Sequence, residues 1–113
     1  MIEIRHLRYF LAVARELNFT RAAESLNMAQ PPLSRQIQQL EAELGVALFD
    51  RESRPLALTP GGALFREQAL QVVQRMDEMR GMMKRFAAAE RPRFVIGFVP
   101  SIIYARLPRR SAS

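Results

Sequence analysis

Residues 19–44 read FTRAAESLNMAQPPLSRQIQQLEAEL, and this stretch leaves the chain few folds to choose from. Two short helical patterns are joined by a few polar residues, and the second opens on two prolines. Proline lacks an amide hydrogen and holds φ near the helical value, so Pro31 and Pro32 suit the first turn of a helix beginning near Gln30. Leu33, Ile37, Leu40 and Leu44 then recur at spacings of three and four and form an apolar stripe. Pro31, Ser34, Arg35 and Gln38 fall on the opposite side. Gly45 fits the left-handed stop that often ends a helix. A short helix followed by a second with a donor-rich outer face is what a helix-turn-helix needs to set one helix in the DNA major groove.

The flanks extend the pattern. Over residues 5–17, Leu7, Phe10, Leu11, Ala14 and Leu17 recur at helical spacing, with Arg8, Arg15 and Glu16 outside. Asn18 and Phe19 read as a turn, and Thr20 as the N-cap of the next helix. Small Ala22 and Ala23, with Leu26, allow that helix to pack closely against its neighbours. Residues 46–59 hold two short apolar pieces, ValAlaLeuPhe and LeuAlaLeu, around a polar tip, which predicts a two-stranded hairpin. Thr59 and Pro60 read as the N-cap and first position of a helix running to about Ala89. Along it Phe65, Ala69, Val72, Met76, Met79, Met83 and Phe86 alternate in steps of four and three, a heptad seam. Glu90, Arg91, Pro92 and Arg93 break the helix. PheValIleGlyPheVal at 94–99 reads as a buried strand, with a helix opening after Pro100 and Ser101.

At 113 residues the chain fits one domain with an appendage. No apolar run approaches the ~20 residues of a membrane span, and no signal-peptide pattern opens the chain, so a cytoplasmic location is expected. Cysteine is absent and His6 is the one histidine, which excludes disulfides, thiolate metal sites and Cys/His catalytic pairs. No cofactor or metal is expected, and no ionisable constellation supports an enzyme. Gly61-Gly62 reads as a helix entrance; a phosphate loop would carry a following Lys-Ser/Thr. The net charge of +6 is unevenly placed. Residues 1–60 carry seven arginines against seven acids, and the excess lies in residues 61–113. A DNA-binding argument must therefore rest on where individual arginines point.

Each motif has a plainer explanation. The polar side of the third helix could be a solvated face, although Gln and Arg can both make paired hydrogen bonds to base edges. Arg51 could pair with Asp50 or Glu52. Thr20 and Arg21 could hold a phosphate at a helix start, or Thr20 could serve as a cap alone. The Met-rich seam suits helix packing far better than a cofactor, and a domain this small leaves a second copy of the helix as its partner. The rival from another class is a protein-interaction module, supported by the neutral charge of residues 1–60.

AAESLN, QPPLSRQIQQLE, LGVALFDR and LTPGG occur here in the order found in LysR-type transcriptional regulators, whose N-terminal domain residues 5–90 resemble. RHLRYF, AQPPLSRQIQ and SRP resemble the branch that regulates aromatic-compound catabolism, the benzoate, muconate and chlorocatechol type. The resemblance implies a regulator, activator or repressor, that binds double-stranded DNA at an imperfect palindrome. It implies a homodimer through antiparallel linker helices, and a tetramer only in a full-length protein. It makes Arg54, in SerArgPro, the wing arginine that approaches DNA. It places Ser101 at an inducer site, incomplete within these residues, so that a small-molecule inducer acts only where the effector domain is present.

The expectation is thus a mainly α fold: a winged helix-turn-helix over 1–59 with a two-stranded wing, a dimerisation helix over 60–89, and a hinge and truncated start of an effector-binding domain over 90–113. DNA contacts are expected from Thr20, Arg21, Gln30, Pro31, Pro32, Ser34, Arg35, Gln38 and Arg54. The dimer seam is expected from Phe65, Ala69, Val72, Met76, Met79, Met83 and Phe86.

Overall fold

The computed structural model describes residues 1–90. The strand expected at 94–99 and Ser101 lie outside the described residues. The elements follow in the order α1 (Ile4–Glu16), α2 (Phe19–Ser25), α3 (Gln30–Leu44), β1 (Phe49–Asp50), β2 (Ala57–Leu58) and α4 (Pro60–Glu90). The fold is therefore mainly helical, with a two-stranded antiparallel wing. The described residues divide into two units, Met1–Gln74 and a second that begins at Arg75.

In the first unit, α1, α2 and α3 pack around one core. Phe10 is fully buried at its centre, with Val13, Leu33, Ile37 and Leu48. Its ring lies 5.3 Å from Phe49 of β1 and 4.9 Å, edge-on, from Phe65 of α4. Such pairs contribute about 0.5–1.5 kcal/mol each beyond their buried area. One side chain thus fixes the wing and the start of α4 against α1. Ala22 and Ala23 are buried, and their small size lets α2 lie close to its neighbours.

Two sequence expectations are corrected here. Leu17 is not part of the α1 stripe. It ends the helix in the left-handed region, at φ 50° and ψ 39°, donating its amide to Val13 O at 2.7 Å, and that turn swings its side chain out to 36% exposure. Nor is Thr20 the cap of α2. Asn18 holds that position, its Oδ1 accepting from Arg21 N at 2.9 Å. The helix begins earlier than expected because Phe19 is drawn inward, its ring 5.9 Å from Phe49. Thr20 is left exposed in the first turn.

Past α2, Asn27 takes a positive φ of 56°, a conformation asparagine tolerates better than most residues, and Met28 N donates to Ala23 O. Ala29 is extended and delivers the chain to α3, with the prolines in its first turn and Gly45 closing it at φ 74°. Leu33, Ile37 and Leu40 are its buried face, and Leu44 is half-buried.

The wing pairs Phe49 with Leu58 and Asp50 with Ala57. Each strand is two residues long, shorter than the apolar pieces suggested, and one further backbone bond continues the pairing beyond them. Thr59 Oγ1 donates to Ala47 O at 2.6 Å, and Thr59 N donates to Leu48 O at 3.0 Å. The same Thr59 oxygen accepts from Gly62 N at 2.9 Å, which makes it the expected N-cap of α4. Gly62 is needed here for its lack of a side chain: a Cβ would stand 2.0 Å from Leu48 O.

In the second unit the described residues, Arg75–Glu90, are the latter part of α4. Met79, Met82, Met83 and Phe86 are exposed there, and Arg75 faces Glu78 at 3.7 Å. No described helix is long and apolar enough to cross a membrane.

Candidate nucleic-acid interface

The two faces of α3 separate cleanly. Leu33, Ile37 and Leu40 point into the core, while Pro31, Arg35 and Gln38 are exposed on the opposite side. Ser34 lies among them, half-buried. Gln30 and Pro32 lie on the two flanks of this face by helical spacing, and both are half-buried. The side chains of Gln30, Ser34, Arg35 and Gln38 enter no hydrogen bond or ion pair with the rest of the described chain. Their donors and acceptors are available to an external partner. An exposed helix face that presents an arginine, two glutamines, a serine and proline rings matches base edges well: Arg pairs with guanine, Gln with adenine, and apolar surface with thymine methyl groups.

The charges of the first unit explain its neutrality. Arg5 pairs with Glu3 at 3.3 Å, Arg15 with Glu16 at 3.3 Å, and Arg51 with Glu41 at 3.0 Å. The amino terminus meets Glu43 at 2.7 Å. Arg21, Arg35 and Arg54 have no carboxylate partner among the described residues. Much of the acidic charge is therefore neutralised inside the unit, and Arg21, Arg35 and Arg54 lie on α2, α3 and the wing.

Arg51 does not pair with Asp50 or Glu52, the partners offered by its neighbours in sequence. Asp50 instead accepts from Glu52 N at 3.1 Å within the wing loop, and Arg51 reaches back to Glu41 of α3. Its guanidinium also lies over the Phe19 ring, 5.3 Å from the centroid. Arg54 is exposed, with Nη1 donating to Arg51 O at 2.6 Å and to Ser53 O at 3.0 Å. His6 accepts from Glu3 N at 2.9 Å through Nδ1 and helps to start α1.

Sequence reasoning missed Glu41, Asn18 and Phe19. Glu41 carried a signal: an acid one turn before the Gly45 stop, on the flank shared with Gln30, faces whatever strand follows. Within the expected seam, Ala69 is buried in the core of its own unit and Phe65 packs on Phe10. Val72, Met79, Met83 and Phe86 remain exposed at 48, 51, 59 and 57%, and Met76 is half-buried.

The family model described as bacterial regulatory helix-turn-helix protein, lysR family, matches residues 4–63. The chain is 55% identical over 107 residues to the probable cat1 operon transcriptional activator of Acinetobacter lwoffii, covering 95% of this chain and 35% of that protein. It is 51% identical over 108 residues to the regulator BenM of Acinetobacter baylyi, covering 96% of this chain and 35% of that one. The chain thus spans about a third of the length of these relatives. The crystal structure of the BenM DNA-binding domain with benA site 1 DNA is similar at a TM-score of 0.74 and 53% identity, covering 76% of this chain and 97% of that chain.

Proposed function

The chain belongs to the lysR family of bacterial helix-turn-helix regulators, and from that premise we propose that it binds duplex DNA sequence-specifically as a transcriptional activator of aromatic-compound breakdown genes in the bacterial cytoplasm. The observation that carries this reading is the division of α3: a buried leucine-isoleucine face, and an opposite face whose polar side chains have no partner within the described chain. In this reading Gln30, Pro31, Ser34 and Arg35 meet base edges in the major groove, with Pro32 and Gln38 at the margins. Thr20 and Arg21 approach a phosphate, and Arg54 of the wing enters the adjacent minor groove or clamps its backbone.

Residues 1–59 form the DNA-binding head, 60–89 the linker helix, and 90–113 the hinge and entrance to an effector-binding domain in which Ser101 meets an inducer. Two copies pair through α4, with Val72, Met76, Met79, Met83 and Phe86 as the seam. Phe65 and Ala69 also serve the head's own core, so the part of the seam free to meet a partner begins at Val72. A dimer sets two copies of α3 on successive major-groove faces of an imperfect palindrome.

The test is a titration of labelled benA site 1 duplex and of a shuffled duplex of equal composition, each over a range of salt. The expected result is tighter binding to the site, with an affinity that falls steeply as salt rises because arginine–phosphate contacts release counterions. Equal affinity for the two duplexes would remove the sequence-reading role of α3.

A further inference from the structure

Glu41 is a residue that DNA contact does not explain. It stands on α3 but points along the flank toward the wing, and its side chain is only 12% exposed. Oε2 accepts from Leu48 N at 2.7 Å and from Phe49 N at 3.2 Å, the two amides that lead into β1. Oε1 accepts from Arg51 Nη1 at 3.0 Å. All three bonds involve a charged group, the stronger class of hydrogen bond, and the Glu41 side of the ion pair is shielded from water while Arg51 is partly exposed.

Arg51 is held from two sides. Its guanidinium is held from one side by Glu41 and lies over the Phe19 ring of α2, so both helices of the helix-turn-helix grip it. The backbone carbonyl of the same residue accepts from Arg54 Nη1 at 2.6 Å. Glu41, Arg51 and Arg54 thus form a continuous path from α3 to the tip of the wing. Arg54 gives Nη1 to this path, while an arginine has five N–H donors, so its remaining donors are available for an acceptor outside the chain.

We propose that Glu41 and Arg51 are a positioning pair that holds Arg54 at a fixed offset from the base-reading face of α3. The inference rests on the DNA-binding reading above. Two grooves read together must be met at their own separation, and a wing tip free to wander loses the contact even when its arginine is intact. The pair itself touches no DNA. It acts through Arg54, and removing it should abolish the benefit of Arg54 without altering base recognition by α3.

The experiment is a double-mutant cycle on the chain, reading affinity for labelled benA site 1 duplex by fluorescence anisotropy. Arg51→Met keeps an unbranched stem over Phe19 and leaves Glu41 to hold the Leu48 and Phe49 amides. Glu41→Gln, which keeps shape and an acceptor, serves as a second background should Arg51→Met fail to fold. In the parent protein Arg54→Ala is expected to weaken binding about tenfold. In either background the same change should weaken it less than about twofold, because the contact is already lost. Arg51→Lys, which retains a cation against Glu41, should restore a cost of about fivefold to Arg54→Ala. Hydroxyl-radical protection at the outer minor groove should disappear in Arg51→Met while protection of major-groove guanines from methylation persists. An equal cost of Arg54→Ala in the parent and in a folded background would overturn the proposal and leave the DNA-binding reading intact. A parent protein that does not distinguish the site from shuffled DNA would overturn both.

Discussion

Replacing Gly62 by alanine tests the joint between the wing and α4 with a single methyl group. The new Cβ would stand 2.0 Å from Leu48 O and 2.9 Å from Leu58 Cδ2, and the first of these neighbours is backbone with no freedom to rotate away. Ordinary contact requires well over an ångström more, so the start of α4 must lift from the wing. That movement strains the Gly62 N to Thr59 Oγ1 cap and the Thr59 N to Leu48 O bond. A lost cap costs about 1 kcal/mol, a lost hydrogen bond about 1 kcal/mol, and overpacking ~1–3 kcal/mol. Together they give a loss of about 3–5 kcal/mol. At 4–8 °C per kcal/mol for a domain of this size, the melting temperature should fall by at least ~12 °C. Thermal unfolding followed by far-ultraviolet circular dichroism measures this directly. Gly81→Ala is the control, because the new Cβ would meet only the movable end of Arg85, at 3.3 Å. Exchanging glycine for alanine within a helix should there raise helix stability by up to ~1 kcal/mol. A Gly62→Ala protein melting within about 2 °C of its parent would show that α4 does not start against Leu48, and the account of the wing's attachment would fail.

Three further outcomes are expected. Gln30→Ala and Arg35→Ala should each weaken site-specific binding by about 1–3 kcal/mol and leave the melting temperature unchanged, since neither side chain holds the fold; unchanged affinity for benA site 1 DNA in both would remove the base-reading assignment. Met76→Glu with Met79→Glu should give a monomer in sedimentation experiments and a sharp fall in affinity through lost avidity, and a dimer persisting in that variant would place the interface elsewhere. Asn18→Ala should destabilise the head by about 1 kcal/mol whereas Thr20→Ala should not, and the reverse order in thermal melts would return the cap of α2 to Thr20.

Features set by local chemistry were legible in the sequence. Pro31 and Pro32 fixed the start of α3, Gly45 its end, and Thr59-Pro60 the start of α4, because each position is decided by one residue's own torsions or one side-chain bond. What escaped was decided by distant partners. Asn18 and Thr20 are both good caps two residues apart, and the choice between them was made by Phe19 packing on Phe49, 30 residues further on. Arg51 had two acids beside it in sequence and took a third, Glu41, from the preceding helix. On α4, periodicity does not say what covers an apolar position. Phe65 and Ala69 keep the rhythm of the seam while packing into their own domain.

The split between the two sides of α3 has a consequence for how such a protein can change. Leu33, Ile37, Leu40 and Glu41 hold the helix in place, and Gln30, Ser34, Arg35 and Gln38 hold nothing within the described chain. Exposed positions such as Arg35 and Gln38 accept substitution at a cost within about 0.5 kcal/mol, and the half-buried Gln30 and Ser34 at somewhat more. On the DNA-binding reading proposed above, the sequence preference of the helix can therefore drift, duplicate and diverge, or be rewritten by design, without endangering the scaffold. A library varied at these four sites should return mostly folded proteins, sorted by the DNA they prefer.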